Sequence, residues 1–334
     1  MKVAVIGAGS WGTALAQVLG GKGLQVSMWA RSAAVADGIN RDHRNPRYLT
    51  GSDLSENVGC TTSAEQALSG AQAVVLVTPS RYIRSTAEMV APFLPADVPV
   101  VVCSKGVEAG SGLLLTQVVA EVVGNADRIA VLSGPTHAEE VVEGQPSATV
   151  IAGTGEGTVL FFRDLFATEK FRTYASDDPV GVELCGAFKN VIAIAVGISY
   201  GMGYGDNTAA LLITRGLAEM GRMVSACGGN ALTCMGLAGA GDMVVTCMSR
   251  HSRNRRFGQD YIAHGKTMED FESDTHMVVE GAVACKTLEA LSIEHGVELP
   301  LTDAVRDIVW NGASLRTMAR ELFTRPLKSE FYGM

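Results

Sequence analysis

The first half of the chain alternates short apolar runs with segments of helical periodicity. The clearest apolar runs are each predicted to be a β-strand: Val3–Ile6, Val26–Trp29, Ala73–Thr78, Val98–Cys103 and Ile129–Leu132. Helix-like segments lie between them, among them Thr13–Gly20, Arg84–Phe93 and Leu113–Val123. Short strands that are apolar on both faces and separated by helices indicate a parallel sheet covered by helices on both sides. Two later runs, Ser147–Ala152 and Phe171–Tyr174, are predicted to extend this sheet.

The pattern changes after Pro179, where runs of strand length stop and helical periodicity takes over. The predicted helices are Val180–Ile198, Asn207–Cys227, Ser252–His264, Val279–His295 and Thr302–Trp310. Each begins or ends near Gly, Pro, Asn or Ser. We therefore predict an α/β fold, with a doubly wound sheet over residues 1–179 and an all-α domain over residues 180–334. A length of 334 residues fits two domains of ordinary size.

Composition and charge narrow the classes of partner. Hydrophobic residues make up 47% of the chain and charged residues 19%, which is typical of a folded globular protein. The 27 basic and 35 acidic residues give a net charge of −8, which disfavours nucleic acid and anionic membranes as partners. The most apolar stretch, Val191–Ile198, is too short to span a membrane, and the apolar start of the chain is too short for a signal peptide. We thus expect a cytoplasmic protein without stable membrane insertion.

The cysteines carry no metal or disulfide signature. They are scattered along the chain, at Cys60, Cys103, Cys185, Cys227, Cys234, Cys247 and Cys285. No pair has the Cys-x-x-Cys spacing. Neither a metal site nor a disulfide framework is therefore expected, which agrees with a reducing cytoplasm.

A glycine-rich loop connects the first predicted strand to the first predicted helix. It reads Gly7-Ala8-Gly9-Ser10-Trp11-Gly12, which is the dinucleotide-binding fingerprint in its strand–loop–helix context. Gly7 permits the tight turn, Gly9 leaves room for a pyrophosphate, and Gly12 lets the helix pack closely on the strand. The free N–H groups at the helix start would then face the phosphates. The loop indicates a Rossmann-like, NAD(P)-binding domain, and the alternative is a glycine-rich turn without a ligand.

The end of the second strand bears on the choice between NAD and NADP. An NAD-binding fold usually presents Asp or Glu about 20 residues after the glycine loop, where it binds the ribose 2′-hydroxyl. Here the chain reads Met28-Trp29-Ala30-Arg31-Ser32, which contains no acid, and Arg31 is suited to a 2′-phosphate. We predict that NADPH is preferred and that NADH can also be used. The alternative is that Arg31 is a solvated surface residue.

Two further loops follow predicted strands, at the edge of the sheet where ligands bind in such folds. Lys105, within Ser104–Gly106, is either a ligand-binding cation or a solvated lysine. In the second loop, Thr136 has capping-box spacing to Glu139, which predicts that Thr136 caps a helix. Gly134 and the neighbouring amides are suited to receive an anionic or hydroxylated substrate. His137 follows the predicted cap and precedes two acids, so we assign it a surface role rather than that of a base.

One lysine interrupts the most apolar predicted helix. Lys189 follows the small residues Gly186 and Ala187, which would let another group approach the helix closely. Lysine is almost never fully buried without a partner, and a desolvated lysine can exchange protons near neutral pH. Lys189 is therefore a candidate catalytic residue. The alternative is a lysine whose ammonium group reaches solvent at the helix edge.

Four arginines fall within residues 250–256 of this acidic chain. Ser252 is placed to cap the helix that follows, which would put Arg253 at the positive end of that helix, a natural phosphate site. Asp242, at the end of a glycine-rich turn, is suited to hold a substrate hydroxyl or to pair with a cation. A solvated basic face is one alternative. Nucleic-acid binding is the other, and it would need a wider basic surface with interleaved aromatic residues.

These motifs together resemble those of the NAD(P)-dependent glycerol-3-phosphate dehydrogenase family, bacterial type. The matching segments are GAGSWGTALA at 7–16, SKG at 104–106, SGPTHAEE at 133–140, GAFKNVIA at 186–193, TRGLAEM at 214–220, AGAGD at 238–242, SRNRRFG at 252–258 and VEG at 279–281. They occur in order over nearly the whole chain, which is far more specific than any one of them.

The resemblance implies reversible reduction of dihydroxyacetone phosphate to sn-glycerol 3-phosphate for phospholipid synthesis, with Lys189 as proton donor and acceptor. Beside Gly7, Gly9 and Gly12, the residues that it implies around the cofactor are Ser10, Trp11, Arg31, Lys105, Ala138, Arg253, Val278 and Glu280. Those that it implies around the phosphate substrate are Lys105, Gly134, Thr136, Lys189, Asp242, Ser252, Arg253 and Asn254. It also implies a homodimer.

Some residues depart from the family pattern, and two rival interpretations stay open. Phe188 stands where an aliphatic residue is more usual, Ala209 stands where a lysine is common, and Met248–His251 is unusual. One rival is another two-domain dehydrogenase that acts on a hydroxy acid or a sugar acid phosphate, and the basic cluster at Ser252–Arg256 argues against a plain carboxylate substrate. The other is a non-catalytic nucleotide sensor, for which the sequence offers no positive support.

Overall fold

The computed structural model describes residues 1–275, 277–330 and 332–333. It divides the chain into two compact units. The first unit comprises Met1–Lys105 and Leu115–Pro179, and the second comprises Gly106–Leu114 and the chain from Val180 onward.

An eight-stranded sheet forms the centre of the first unit. Its strands are β1 (Lys2–Ile6), β2 (Gln25–Trp29), β3 (Val58–Thr61), β4 (Ala73–Leu76), β5 (Val100–Val102), β6 (Ile129–Ser133), β7 (Ser147–Ala152) and β8 (Phe171–Ser176). Their order is β3-β2-β1-β4-β5-β6-β7-β8. The strands from β3 to β6 pair in parallel, β7 runs antiparallel to β6, and β8 is parallel to β7. An order that reverses beside β1 is that of a doubly wound sheet, so the predicted fold class is confirmed.

Helices cover this sheet and bury their apolar faces against it. They are α1 (Ser10–Gly21), α2 (Ala33–Asp42), α3 (Ala64–Leu68), α4 (Ile83–Val90), α5 (Leu115–Val123), α6 (Ala138–Val142) and α7 (Glu156–Phe166), with 3₁₀ turns at Ser80–Tyr82, Ala91–Phe93 and Ala126–Arg128. Leu15 and Leu19 of α1 and Phe162 and Phe166 of α7 are fully buried. Burial of a large apolar side chain contributes about 1.5–3 kcal/mol, so these positions fix the helices on the sheet.

In the first unit, the strand β3 and the helices α2, α3 and α7 are absent from the predicted elements. β3 spans only four residues at the edge of the sheet, alternates buried and half-buried positions, and contains Gly59. Glycine weakens the strand pattern. Asn40 of α2 compensates in the fold, since its side-chain amide donates to the Cys60 carbonyl oxygen at 2.8 Å and its Oδ1 accepts from the Cys60 N–H at 2.8 Å.

The second unit is helical. Its helices are α8 (Pro179–Gly201), α9 (Asp206–Ala226), α10 (Asp242–Met248), α11 (Arg253–Arg256), α12 (Met268–Thr275), α13 (Glu280–His295), α14 (Pro300–Asn311) and α15 (Leu315–Thr324), with 3₁₀ turns at Ala231–Met235 and Ile262–His264 and π turns at Leu237–Gly241 and Phe257–Tyr261. The predicted helix Ser252–His264 is thus three consecutive turns of different pitch. A Cβ on Gly258, in the π turn, would overlap the Ile194 carbonyl oxygen, which shows how closely this segment packs on α8.

The helix α8 is the central element of the second unit. Every residue from Gly181 to Ser199 is buried, as expected for a helix that is apolar on all sides. Among the described residues it is the one helix long and apolar enough to cross a membrane, and its apolar window is fully buried inside the protein. Its burial here is that of a core helix.

Candidate active site

The glycine loop forms the tight connection between β1 and α1. The helix begins directly after Gly9, and within the described part of the chain no side chain caps its first N–H groups. A Cβ on Gly12 would overlap the Gly7 carbonyl oxygen, whereas a Cβ on Gly9 would meet nothing within 4 Å. Close packing therefore requires Gly12, while Gly9 leaves open space in front of uncapped N–H groups. That combination suits the pyrophosphate of a dinucleotide.

Asn45 braces the glycine loop, and nothing in the local sequence pattern signals it. Its buried side-chain amide donates to the Ala8 carbonyl oxygen at 3.0 Å and to Thr13 Oγ1 at 2.9 Å. Its Oδ1 accepts from the backbone N–H groups of Arg47 and Tyr48. Because Asn45 lies 37 residues from Ala8 in the chain, only the folded structure brings the two together.

Arg31 lies two residues after the end of β2, in the position that the strand pattern predicts. Its side chain is exposed, and Ser32 beside it is the first flanking residue of α2. No hydrogen bond or ion pair of the Arg31 side chain occurs within the described residues. The guanidinium group is thus available to a ligand, and its role toward a 2′-phosphate stays a prediction.

Three of the predicted substrate residues meet at the edge of the sheet in the first unit. Lys105 Nζ donates to the Gly134 carbonyl oxygen at 3.2 Å, and Thr136 Oγ1 donates to the same oxygen at 3.1 Å. A Cβ on Gly134 would lie 2.8 Å from Thr149 Cα, so packing against β7 already explains this glycine. The predicted helix cap by Thr136 is wrong, because its hydroxyl bonds within its own loop and α6 begins after His137. His137 itself is half-buried.

A buried ion pair lies in the second unit. The side chains of Lys189 and Asp242 are 8% and 2% exposed, and Lys189 Nζ lies 2.6 Å from Asp242 Oδ1. The Thr246 hydroxyl lies 3.1 Å from that Nζ and 3.2 Å from that Oδ1. The alternative of a lysine that reaches solvent is therefore wrong. A buried charge needs a partner to compensate for lost hydration, and the Asp242 carboxylate stabilises the ammonium form of Lys189.

Two helices position this pair. Lys189 lies in the middle of α8, while Asp242 begins α10 and Thr246 follows one turn later on the same face.

Cys247, the residue after Thr246, is fully buried, and desolvation raises the pKa of its thiol to about 12. It therefore stays a neutral thiol and does not compete with Lys189 in proton exchange. Thr246 was not identified from the sequence, although its i, i+4 spacing from Asp242 was a usable signal.

A chain of amides connects α8 to the start of α13. Asn254 Nδ2 donates to Asn190 Oδ1 at 2.9 Å, and the Gly281 N–H donates to Asn254 Oδ1 at 2.9 Å. Asn190 Nδ2 also lies 3.5 Å from Glu280 Oε2. The structure thus joins the predicted substrate residue Asn254 and the predicted cofactor residue Glu280 in one network, next to Lys189 in the chain.

The arginine cluster separates into two roles. Ser252 Oγ accepts from the Arg255 N–H at 3.2 Å, which confirms the predicted cap of the following helix. The Arg255 guanidinium donates to the Met248 carbonyl oxygen at 2.8 Å, and Arg256 pairs with Asp260 at 3.8 Å. The side chains of Arg255 and Arg256 thus contact other residues of the same unit. The Arg253 side chain, in contrast, is exposed at the start of α11.

The remaining predicted contacts lie at the starts of helices. Ser10 and Trp11 open α1, Ala138 opens α6, and Val278 is half-buried just before α13. Their contacts with a cofactor stay predictions. Within the described residues, no three His, Cys, Asp or Glu side chains are grouped to hold a metal ion.

Together, the doubly wound sheet with its uncapped glycine loop and the buried lysine–aspartate pair define an NAD(P)-dependent dehydrogenase. A family model described as the NAD-dependent glycerol-3-phosphate dehydrogenase N-terminus matches residues 2–158. The corresponding C-terminus model matches residues 178–320. The chain belongs to the NAD-dependent glycerol-3-phosphate dehydrogenase family.

Relatives from bacteria match this chain over nearly its full length. The NAD(P)+ glycerol-3-phosphate dehydrogenase of Nitratidesulfovibrio vulgaris strain DP4 is 46% identical over 99% of this chain and 100% of its own. The second such enzyme of Mycobacterium tuberculosis strain H37Rv is 44% identical over 98% of each chain. The crystal structure of glycerol-3-phosphate dehydrogenase from Coxiella burnetii has a TM-score of 0.92 and 36% identity, and covers 97% of this chain and 99% of its own.

Proposed function

We propose that this protein catalyses the reversible reduction of dihydroxyacetone phosphate to sn-glycerol 3-phosphate with NADPH or NADH. The observation that carries the proposal is the buried ion pair of Lys189 with Asp242 at 2.6 Å, within a chain that belongs to this family over its whole length. The product would supply phospholipid synthesis.

The first unit would hold the cofactor. Gly7, Gly9 and Gly12 shape the loop, and the N–H groups of Ser10 and Trp11 at the start of α1 would bind the pyrophosphate. Arg31 would meet the 2′-phosphate of NADPH, which favours that cofactor over NADH. When bound, the nicotinamide supplies the hydride, and the protein contributes binding and orientation.

Lys189 would act as the proton donor. As the carbonyl carbon of the substrate gains hydride, its oxygen develops negative charge, which the Lys189 ammonium stabilises and then protonates. The Asp242 carboxylate and the Thr246 hydroxyl hold Nζ in a defined position, at 2.6 Å and 3.1 Å. In the oxidative direction, Lys189 would accept the hydroxyl proton in its neutral form.

The substrate phosphate would bind away from the reacting carbon. The proposed contacts are Ser252, Arg253 and Asn254 at the start of α11, with Lys105, Gly134 and Thr136 as further substrate residues. Arg253 offers an exposed guanidinium group beside the capped helix start, and Arg suits bidentate contact with phosphate. Such a remote contact orients the carbonyl for reaction.

The protein is further proposed to be a cytoplasmic homodimer that neither inserts into membranes nor binds nucleic acid. Support comes from the net charge of −8 and from the complete burial of the apolar window of α8. Light scattering on the purified protein tests the dimer, since a mass near 35.0 kDa would contradict it.

The direct test measures initial rates of NADPH and NADH oxidation, each with dihydroxyacetone phosphate. We expect saturable oxidation of both, and faster oxidation of NADPH at low cofactor concentration. If neither cofactor is oxidised, the proposed substrate is wrong, and a panel of hydroxy acids and sugar acid phosphates with the corresponding keto compounds would then identify the alternative dehydrogenase.

Replacing Arg31 by aspartate is expected to raise KM for NADPH about tenfold or more, while NADH is affected little, because a carboxylate repels the 2′-phosphate and accepts a bond from the 2′-hydroxyl. Steady-state kinetics with both cofactors measure the change. Arg172→Asp is the matched control, since Arg172 is also exposed but lies on β8 at the opposite edge of the sheet. An equal loss with both cofactors would place Arg31 away from the 2′-phosphate.

A further inference from the structure

Two buried cysteines of the second unit are in contact. Cys185 Sγ lies 3.8 Å from Cys234 Sγ, and the two residues are 0% and 1% exposed. Cys185 belongs to α8, and Cys234 belongs to the 3₁₀ turn Ala231–Met235. The pair is therefore a dithiol that connects two separate elements of the unit.

We propose that Cys185 and Cys234 are an oxidisable pair that a peroxide converts into a reversible disulfide. A disulfide bond is about 2.05 Å long. The two sulfurs, now 3.8 Å apart, therefore need to approach each other by about 1.8 Å. One thiolate attacks the peroxide O–O bond, which yields a sulfenic acid and hydroxide, and the second sulfur then displaces hydroxide from the sulfenic acid. In total, two thiols and one hydrogen peroxide give one disulfide and two waters, and two electrons pass from sulfur to oxygen.

The 3₁₀ turn lies at the protein surface, and its local opening would give a small oxidant access to this pair. Leu232 and Met235, on either side of Cys234 in the chain, are 75% and 69% exposed. The thiol of Cys234 thus lies beneath a single short turn, and elements of this size open locally at much lower cost than the whole fold. Transient disulfides of this kind are compatible with a reducing cytoplasm, where they serve in redox sensing.

Each cysteine lies on, or packs against, the segment that carries one partner of the buried ion pair. Cys185 precedes Lys189 by one turn of α8, and a Cβ on Gly239 would overlap the Cys234 carbonyl oxygen, so the 3₁₀ turn packs directly on the segment that leads into Asp242. Drawing Cys234 toward α8 would shift Asp242 relative to Lys189, and a displacement of about 1 Å can cost about 100-fold in rate. This effect on turnover rests on the proposed function, whereas formation of the disulfide does not.

The experiment treats the whole protein with hydrogen peroxide and follows disulfide formation and turnover separately. After non-reducing tryptic digestion, mass spectrometry should find the peptide that ends at Lys189 joined to the peptide that ends at Arg250. Dithiothreitol should separate them. The second peptide also contains Cys227 and Cys247, so the joined species must be absent from the Cys234→Ser variant. With dihydroxyacetone phosphate, kcat should fall at least tenfold on oxidation and recover with dithiothreitol.

Three single variants separate the pair from other thiols. Cys227 is the cysteine of the chain that is not buried, and Cys227→Ser should still lose and regain turnover as the unmodified protein does. Cys185→Ser and Cys234→Ser should keep their turnover under the same peroxide. Oxidation of Cys227 without any joined peptide would overturn the proposal, and a joined peptide with unchanged kcat would overturn its effect on the ion pair. Because the joined peptide is detected without an activity assay, failure of the proposed function is distinguishable from both outcomes.

Discussion

The Lys189→Ala variant is expected to lose about 10³-fold in kcat, while NADPH still binds. The ammonium group is the proton donor that the proposed reaction requires. Asp242 and Thr246, which contact it, cannot replace it as a cation. Steady-state turnover and fluorescence titration of NADPH measure the two effects separately. Turnover close to that of the unmodified enzyme would remove Lys189 from the proposed role.

Removal of Lys189 also affects folding, so two further variants are needed to separate a loss of catalysis from a loss of stability. Asp242 would be left as a buried carboxylate without its cation, which typically costs about 3–5 kcal/mol of stability. Lys189→Arg keeps a cation beside Asp242, but arginine does not release its proton, so this variant should fold and still lose turnover. Lys286→Ala is the matched control, since Lys286 lies over the Trp310 ring at 3.4 Å in the same unit and should leave kcat unchanged.

The fold was predictable from the sequence where the pattern is local. The short runs that became β1 and β6 are apolar throughout, and the glycine loop after β1 has the spacing of a dinucleotide-binding fingerprint. This spacing predicts that Gly12 lets the helix pack closely on the strand, and in the structure a Cβ on Gly12 would overlap the carbonyl oxygen of Gly7, directly after β1. The edge strand β3 escaped prediction because its four residues contain a glycine, and its stability depends on Asn40 and on β2.

The site was predictable as residue types but not as contacts. The sequence shows an isolated lysine, Lys189, in an apolar helix, and Asp242 after a glycine-rich turn. Because the two are 53 residues apart, the sequence pattern does not predict that they pair. The predicted helix cap by Thr136 was wrong for a related reason. The Thr136 hydroxyl donates to the carbonyl oxygen of Gly134, two residues earlier in the chain, and the capping-box spacing gives no sign of this acceptor. Long-range braces such as Asn45 leave no periodic signal at all.

A buried glutamate caps the helix α14 from a distance. Glu219 of α9 is 2% exposed, and its Oε1 accepts from the Leu301 N–H at 2.5 Å. Its Oε2 accepts from the Thr302 N–H at 3.1 Å and from Thr302 Oγ1 at 3.0 Å. Within the described residues no side chain of α14's own flanking residue caps that helix start, so Glu219 satisfies N–H groups that would otherwise be orphaned.

Replacing Glu219 by alanine is expected to lower the free energy of unfolding by about 3 kcal/mol, because two buried N–H groups lose their acceptor at about 1–3 kcal/mol each. Glu219→Gln should cost less, since its carbonyl oxygen still accepts one of these bonds. Urea unfolding at pH 8 measures both. Glu294→Ala, at an exposed position of α13, is the matched control and should stay within about 0.5 kcal/mol.

The stability difference between the unmodified protein and Glu219→Gln should also depend on pH. Burial raises the pKa of Glu219 from 4.5 to about 7, so the folded state holds a proton that the unfolded state has already released in this range. The contribution of this group therefore falls as pH rises from about 4.5 to about 7, and glutamine has no such proton. Urea unfolding at intervals across this range should show the unmodified protein's advantage over Glu219→Gln becoming smaller as pH rises. An advantage that grows with pH would mean that the three hydrogen bonds to the carboxylate outweigh its desolvation.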